Sequence, residues 1–107
     1  MRILEFEVQK QRLKRRPICD FSGLVAGSIG YLRAKFYFSE EEWGSCSKKV
    51  ARFWIDGTEH AAMLNDDNSC EIPPEVLTGS KFEVSIIGAA TGYKIETNKI
   101  CVRQEVC

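Results

Sequence analysis

Long apolar runs are missing from this 107-residue sequence, and none approaches the ~20 positions a membrane-spanning helix needs. The opening MRILEFEVQKQRLKRR breaks its short apolar pairs with glutamates, unlike a secretory leader, so a soluble, cytosolically made protein is expected. Histidine is nearly absent as well. His60 stands among alanines in EHAAML and reads as a packed or surface residue rather than the base of a nucleophilic pair. No pair among Cys19, Cys46, Cys70, Cys101 and Cys107 has CxxC spacing, and His60 has no cysteine at finger-like spacing, so the four ligands of a structural zinc are not gathered. An odd cysteine count without a leader points to reduced thiols. Cys70 and Cys101 sit among apolar neighbours and are expected to behave as small buried hydrophobes, with Cys107 exposed at the terminus. No GxSxG occurs, and GSIG and GAATG lack the lysine and helix that cradle a phosphate. No metal, no cofactor and no catalysis is expected.

What is present is strand. An apolar fraction of 44% and a charged fraction of 28% suit one folded domain spanning residues 1–107, large enough for a core of its own. In LRAKFYF, residues 32–38, Leu32, Ala34, Phe36 and Phe38 share one face, and Arg33, Lys35 and Tyr37 the other. KVARFWID, residues 49–56, alternates likewise with Ala51, Phe53 and Ile55 inward, and Asp56-Gly57 signals a tight turn into TEHAAML. NDDNS is turn chemistry, and CEI a short strand. PPEVL reads as one turn of helix or a bridging loop, with Val76 and Leu77 dipping inward. KFEVSIIGA, YKIET and KICVRQEV close the chain as strands. ILEFEV opens it, followed by the basic QKQRLKRR, which turns or forms a short second strand. FSGLVAGSIG, residues 21–30, is the most loop-like stretch and is expected to cross between sheets. Seven or eight strands at this spacing, with no ten-residue helical period, predict an all-β antiparallel sandwich.

Charge is zero overall but unevenly placed. Residues 1–35 hold eight basic against three acidic side chains, residues 36–76 three against nine, and the remainder four against three. The acidic excess centres on Glu40, Glu41 and Glu42 in SEEEWG. Adjacent carboxylates at a turn diverge into water, so a solvated hairpin tip is the expectation, with Gly44 permitting the turn and Trp43 folding over the sheet edge. The basic run holding Arg12, Lys14, Arg15 and Arg16 reads first as a protected edge strand. Tyr31, Tyr37, Trp54 and Tyr93, which could stack bases, lie far from it in sequence, so nucleic acid is not an expected partner, nor is a membrane. A dipolar surface of this kind suits docking on a protein, a second copy included. Tyr37, Trp43 and Trp54 join the acidic and basic clusters as candidate contacts, since Tyr and Trp are enriched in binding hot spots.

Over residues 30–104, the sequences YLRAKFYFSEEEWGSCSKKVARFWIDG, NDDNSCEIPPEVLTGSKFEVSIIGA and YKIETNKICVRQ resemble a small immunoglobulin-like protein type of phages and prophages, similar to N-terminal domains of baseplate and tail proteins. The basic N-terminal segment and the cysteines depart from that pattern. The resemblance implies an immunoglobulin-like sandwich working in a bacterial cytoplasm or in the virion as a structural or adaptor module, binding other virion proteins or itself. Two alternatives remain open at this point: a small phage-encoded inhibitor of a host defence protein, and a carbohydrate-binding module.

Overall fold

The computed structural model describes residues 1–106; the expected exposure of Cys107 lies outside them. Nine strands form two sheets. The first has the order β2-β1-β3-β6 and is built from β1 (Arg2–Gln9), β2 (Arg12–Arg15), β3 (Leu32–Phe38) and β6 (Ser69–Glu71). The second runs β5-β4-β7-β8, from β4 (Lys48–Ile55), β5 (Thr58–Met63), β7 (Lys81–Ala90) and β8 (Tyr93–Glu96), with β9 (Ile100–Arg103) also on β7. All neighbours are antiparallel except β1 and β3, which run parallel. Alternation sets the layers. Leu4, Phe6, Val8, Leu32, Ala34 and Phe36 of the first sheet face Ala51, Phe53, Phe82, Val84 and Ile86 of the second, all buried. Phe6 stacks on Phe36 with ring centroids 5.1 Å apart.

Beside β7 the chain changes partner. β8 pairs with residues 87–90 and β9 with 81–84, and Thr97 fills the gap. Its N–H donates to Ile86 O (3.0 Å), and its hydroxyl accepts from the Ile86 N–H (2.9 Å). YKIET and KICVRQEV are thus separate strands as expected, and the ninth strand is β2, where the basic segment forms a short strand rather than a turn. PPEVL is a single 3-10 turn, Pro74–Thr78, with Val76 and Leu77 buried. Cys70 is buried too, but Cys101 is only half-buried, because the phase that sends Val102 inward turns its neighbour to the outer face.

Two expectations about connections are corrected. FSGLVAGSIG does not pass from one sheet to the other. It joins β2 to β3 within the first sheet and plugs the sandwich end, with Phe21 edge-on to Phe6 and Leu24 buried. SEEEWG is not a hairpin tip. β3 and β4 belong to different sheets, and the segment crosses between them through a short helix, α1 (Glu40–Trp43). Trp43 explains the crossing: it is 1% exposed, 5.0 Å from the Phe38 ring centroid, and packed against Gly88 of β7. Burying the largest side chain outweighs the local preference for a turn in water.

Candidate protein-docking groove

Trp43 also builds the surface above it. Its indole N–H donates to Lys10 O (2.8 Å), tying α1 to the two-residue Lys10–Gln11 loop between β1 and β2. Ser39 reinforces the tie. Its N–H donates to Val8 O, its hydroxyl oxygen accepts from the Lys10 N–H, and its own O–H donates to Glu42 (3.0 Å). Ser39 and Glu42 have the Ser-x-x-Glu spacing of a helix start, a signal in SEEE that hairpin reasoning overlooked. Three carboxylates in the first turn suit the positive end of the helix. Gly44 is required for closeness rather than for an unusual backbone angle: a Cβ there would sit 2.6 Å from Glu40 O.

Between the loop and the helix lies an open cleft of about 660 Å³. Lys10 and Arg12 stand on one bank and Glu41 and Glu42 on the other, with Ser39 and Asn98 among the floor residues. A smaller depression of about 250 Å³ shares Gln9 and Ser39 with it and reaches Lys14 and Tyr37. Residues thirty positions apart therefore face each other across one groove. Among the described residues, Lys10, Arg12, Glu41 and Glu42 make no ion pair, so each bank keeps its charge available.

The groove's far end is internally paired. The Tyr37 hydroxyl donates to Glu5 (2.8 Å), and the Arg16 guanidinium lies 3.8 Å from the Tyr37 ring centroid and 3.8 Å from the Glu5 carboxylate. The bond to an ionised carboxylate holds the Tyr37 phenol above the usual tyrosine range. Lys14 pairs with Glu7 at 3.7 Å, an exposed contact worth about 0–1 kcal/mol.

Not every expected contact residue belongs here. Trp43 is core, not surface, because the crossing places it between the sheets. Arg15 turns to the edge, donates to Cys101 O (2.9 Å), and lies over Phe21, so it ties the sheets together. Trp54 is half-buried on the outer face of the second sheet, with Lys99 Nζ 3.8 Å and Arg52 5.0 Å from the ring centroid, so cations already lie over it. Glu40 is exposed at the helix start, outside the groove lining. Arg12, Glu41 and Glu42 line the cleft, Lys14 and Tyr37 line the adjoining depression, and Arg16 lines neither but lies over the Tyr37 ring. Lys10, Ser39 and Asn98 were missed, and only the charge of Lys10 and the capping pattern of Ser39 carried any sequence signal.

Asn98 closes the groove and the sheet edge together. Its side chain accepts from the Leu13 N–H (2.7 Å) and donates to Leu13 O (3.2 Å), replacing the strand that β2 lacks on that side. Compared with protein-family models, curated proteins and solved structures, the chain matches none.

Proposed function

We propose that this protein is a non-enzymatic binding module, an immunoglobulin-like sandwich that docks a partner protein along the Lys10–Glu42 groove. In the setting implied by the sequence resemblance, the partner is another virion protein met during tail, baseplate or capsid assembly. The observation that carries this reading is the pair of facing, unpaired banks, Lys10 and Arg12 against Glu41 and Glu42, held in place by Trp43. A partner segment bearing both signs satisfies both banks at once, whereas a uniformly charged polymer meets repulsion from one of them.

The test is capture of virion and host proteins on the immobilised chain, compared with Lys10→Glu/Arg12→Glu and with Glu41→Lys/Glu42→Lys. The expected result is one partner retained at low salt, lost at high salt and lost with either reversal. Equal retention by the wild type and both reversed variants overturns the groove as the docking site. Lys10, Arg12 and Glu41 are exposed, and each change there should shift stability by no more than about 0.5 kcal/mol. Glu42→Lys also removes the acceptor of the Ser39 hydroxyl. Glu41→Lys alone is therefore carried as a second acidic-bank variant and should weaken retention in the same direction.

A further inference from the structure

The two sides of the sandwich treat their strand edges differently. On one side, β2 is closed by Asn98, and Arg15 and Gln11 reach across to carbonyls of Cys101 and Glu96. The short β6 is covered by its own turn, where Asn65 N–H donates to Ser69 O and Asp67 accepts from the Ser69 N–H. β5 has no such cover. The bond from Leu64 N–H to Lys49 O fixes its phase, so Thr58, His60 and Ala62 direct their backbone groups at β4. Glu59, Ala61 and Met63 point theirs away, and none of these groups has a backbone partner among the described residues.

The strand is also bare of protective devices. TEHAAM contains no proline, lysine or arginine, and its pairing with β4 runs without a bulge. Its carboxylate, Glu59, is held by Arg52 of the same chain at 3.4 Å. Ala61 is exposed and small, and Met63 is 64% exposed.

We infer that β5 pairs antiparallel with β5 of a second copy, joining two five-stranded sheets into one across a two-fold axis at Ala61. With Ala61 opposite the partner subunit's Ala61, Glu59 lies opposite Met63 in both directions, and every outward N–H and C=O of the three residues finds a partner. No like charges meet along the strand. On the outer face Lys48 and Arg52 flank Val50, which pairs with Met63, so the neighbourhood that the partner subunit's Glu59 enters is cationic rather than acidic. Asp66 and Asp67 bend away toward Arg33 and Lys35, which line the same cleft on the first sheet. Because the two-fold pairing uses the same edge on both copies, each β5 is consumed by the other and the assembly stops at two copies instead of growing into a fibre. The docking grooves lie at the opposite side of the sandwich, so a dimer presents both. The inference rests on the β5 edge alone and does not depend on the groove reading.

The experiment is sedimentation or light scattering of the full chain, under reducing conditions, from low to high micromolar concentration. The wild type should reach twice the 12.1 kDa chain mass. Ala61→Lys and Ala61→Glu place like charges against each other on the two-fold axis, so each alone should stay monomeric with an unchanged circular dichroism spectrum. Mixed in equal amounts they should restore the doubled mass. A wild type that stays at 12.1 kDa throughout overturns the inference, as does a dimer untouched by either variant or a mixture that remains monomeric.

Discussion

Gly88 is the sharpest probe of how the sheets are held together. It lies in the middle of a regular strand, and a Cβ added there would come 2.7 Å from Trp43 Cζ3, 2.9 Å from Trp43 Cε3 and 2.8 Å from Cys46 Sγ. Those contacts are shorter than van der Waals separations, and both neighbours are packed, so the strand or the indole must shift. Overpacking of this kind costs about 1–3 kcal/mol, and the strand preference of alanine over glycine returns only about 0.5–1 kcal/mol of it. A net loss of about 1–2 kcal/mol is expected for Gly88→Ala, a large fraction of the roughly 5–15 kcal/mol that holds such a domain folded. Trp43→Phe alone should cost about 2 kcal/mol through the lost bond to Lys10 O and the volume removed.

Phenylalanine lacks the outer indole atoms that Gly88 meets, so the two changes should couple. In the Trp43→Phe background the two indole clashes are gone and only the Cys46 Sγ contact remains. Gly88→Ala should there cost about 0.5–1 kcal/mol less than in the wild type, an interaction energy of the size seen for touching residues. The assay is urea unfolding followed by far-ultraviolet circular dichroism, since fluorescence would change with Trp43 itself. Equal m-values across the four proteins would confirm that only stability has moved. If Gly88→Ala costs the same in both backgrounds, or Trp43→Phe costs nothing, Trp43 is not the pin between α1 and β7.

Three further outcomes follow from the geometry. Asn98→Ala orphans the Leu13 N–H and C=O at a half-buried edge and should cost about 1–3 kcal/mol, with turbidity on heating; an unchanged melting temperature would show that the cap contributes nothing. Burial pushes the Cys70 thiol up to about 12, so in a native-state thiol titration at mildly alkaline pH it should be the last described cysteine modified; early labelling at Cys70 would contradict its place in the core. The Tyr37 phenol is raised by the Glu5 carboxylate, so the stability this bond contributes is full below the ordinary tyrosine range and is lost as pH rises through the folded value. Glu5→Gln should therefore move one phenolate absorbance transition to lower pH, and an unmoved titration curve would break the assignment.

Faces were readable from the chain alone, and partners were not. Period-two alternation is local, so the inward positions of β3 (Leu32, Ala34, Phe36), of β4 (Ala51, Phe53) and of β7 (Phe82, Val84, Ile86) followed from side-chain type, and with them the all-β sandwich. The Asp56-Gly57 turn was legible for the same reason. Both residues take positive φ, 49° and 79°, which that dipeptide tolerates. Alternation says which way a side chain points, not which strand lies beside it. That is why SEEEWG looked like the tip of a hairpin, and why neither the parallel β1–β3 pair nor the sharing of β7 by β8 and β9 had a local signature.

Tertiary structure decided the rest because those choices are settled by burial over long sequence separations. Trp43 needed a site without a competing Cβ, and Gly88 supplies it. Once α1 is drawn there, the Lys10 loop is fixed to it, and the basic and acidic segments become two banks of one groove. The charges were written in the sequence from the start; their meeting depended on where one indole could be buried.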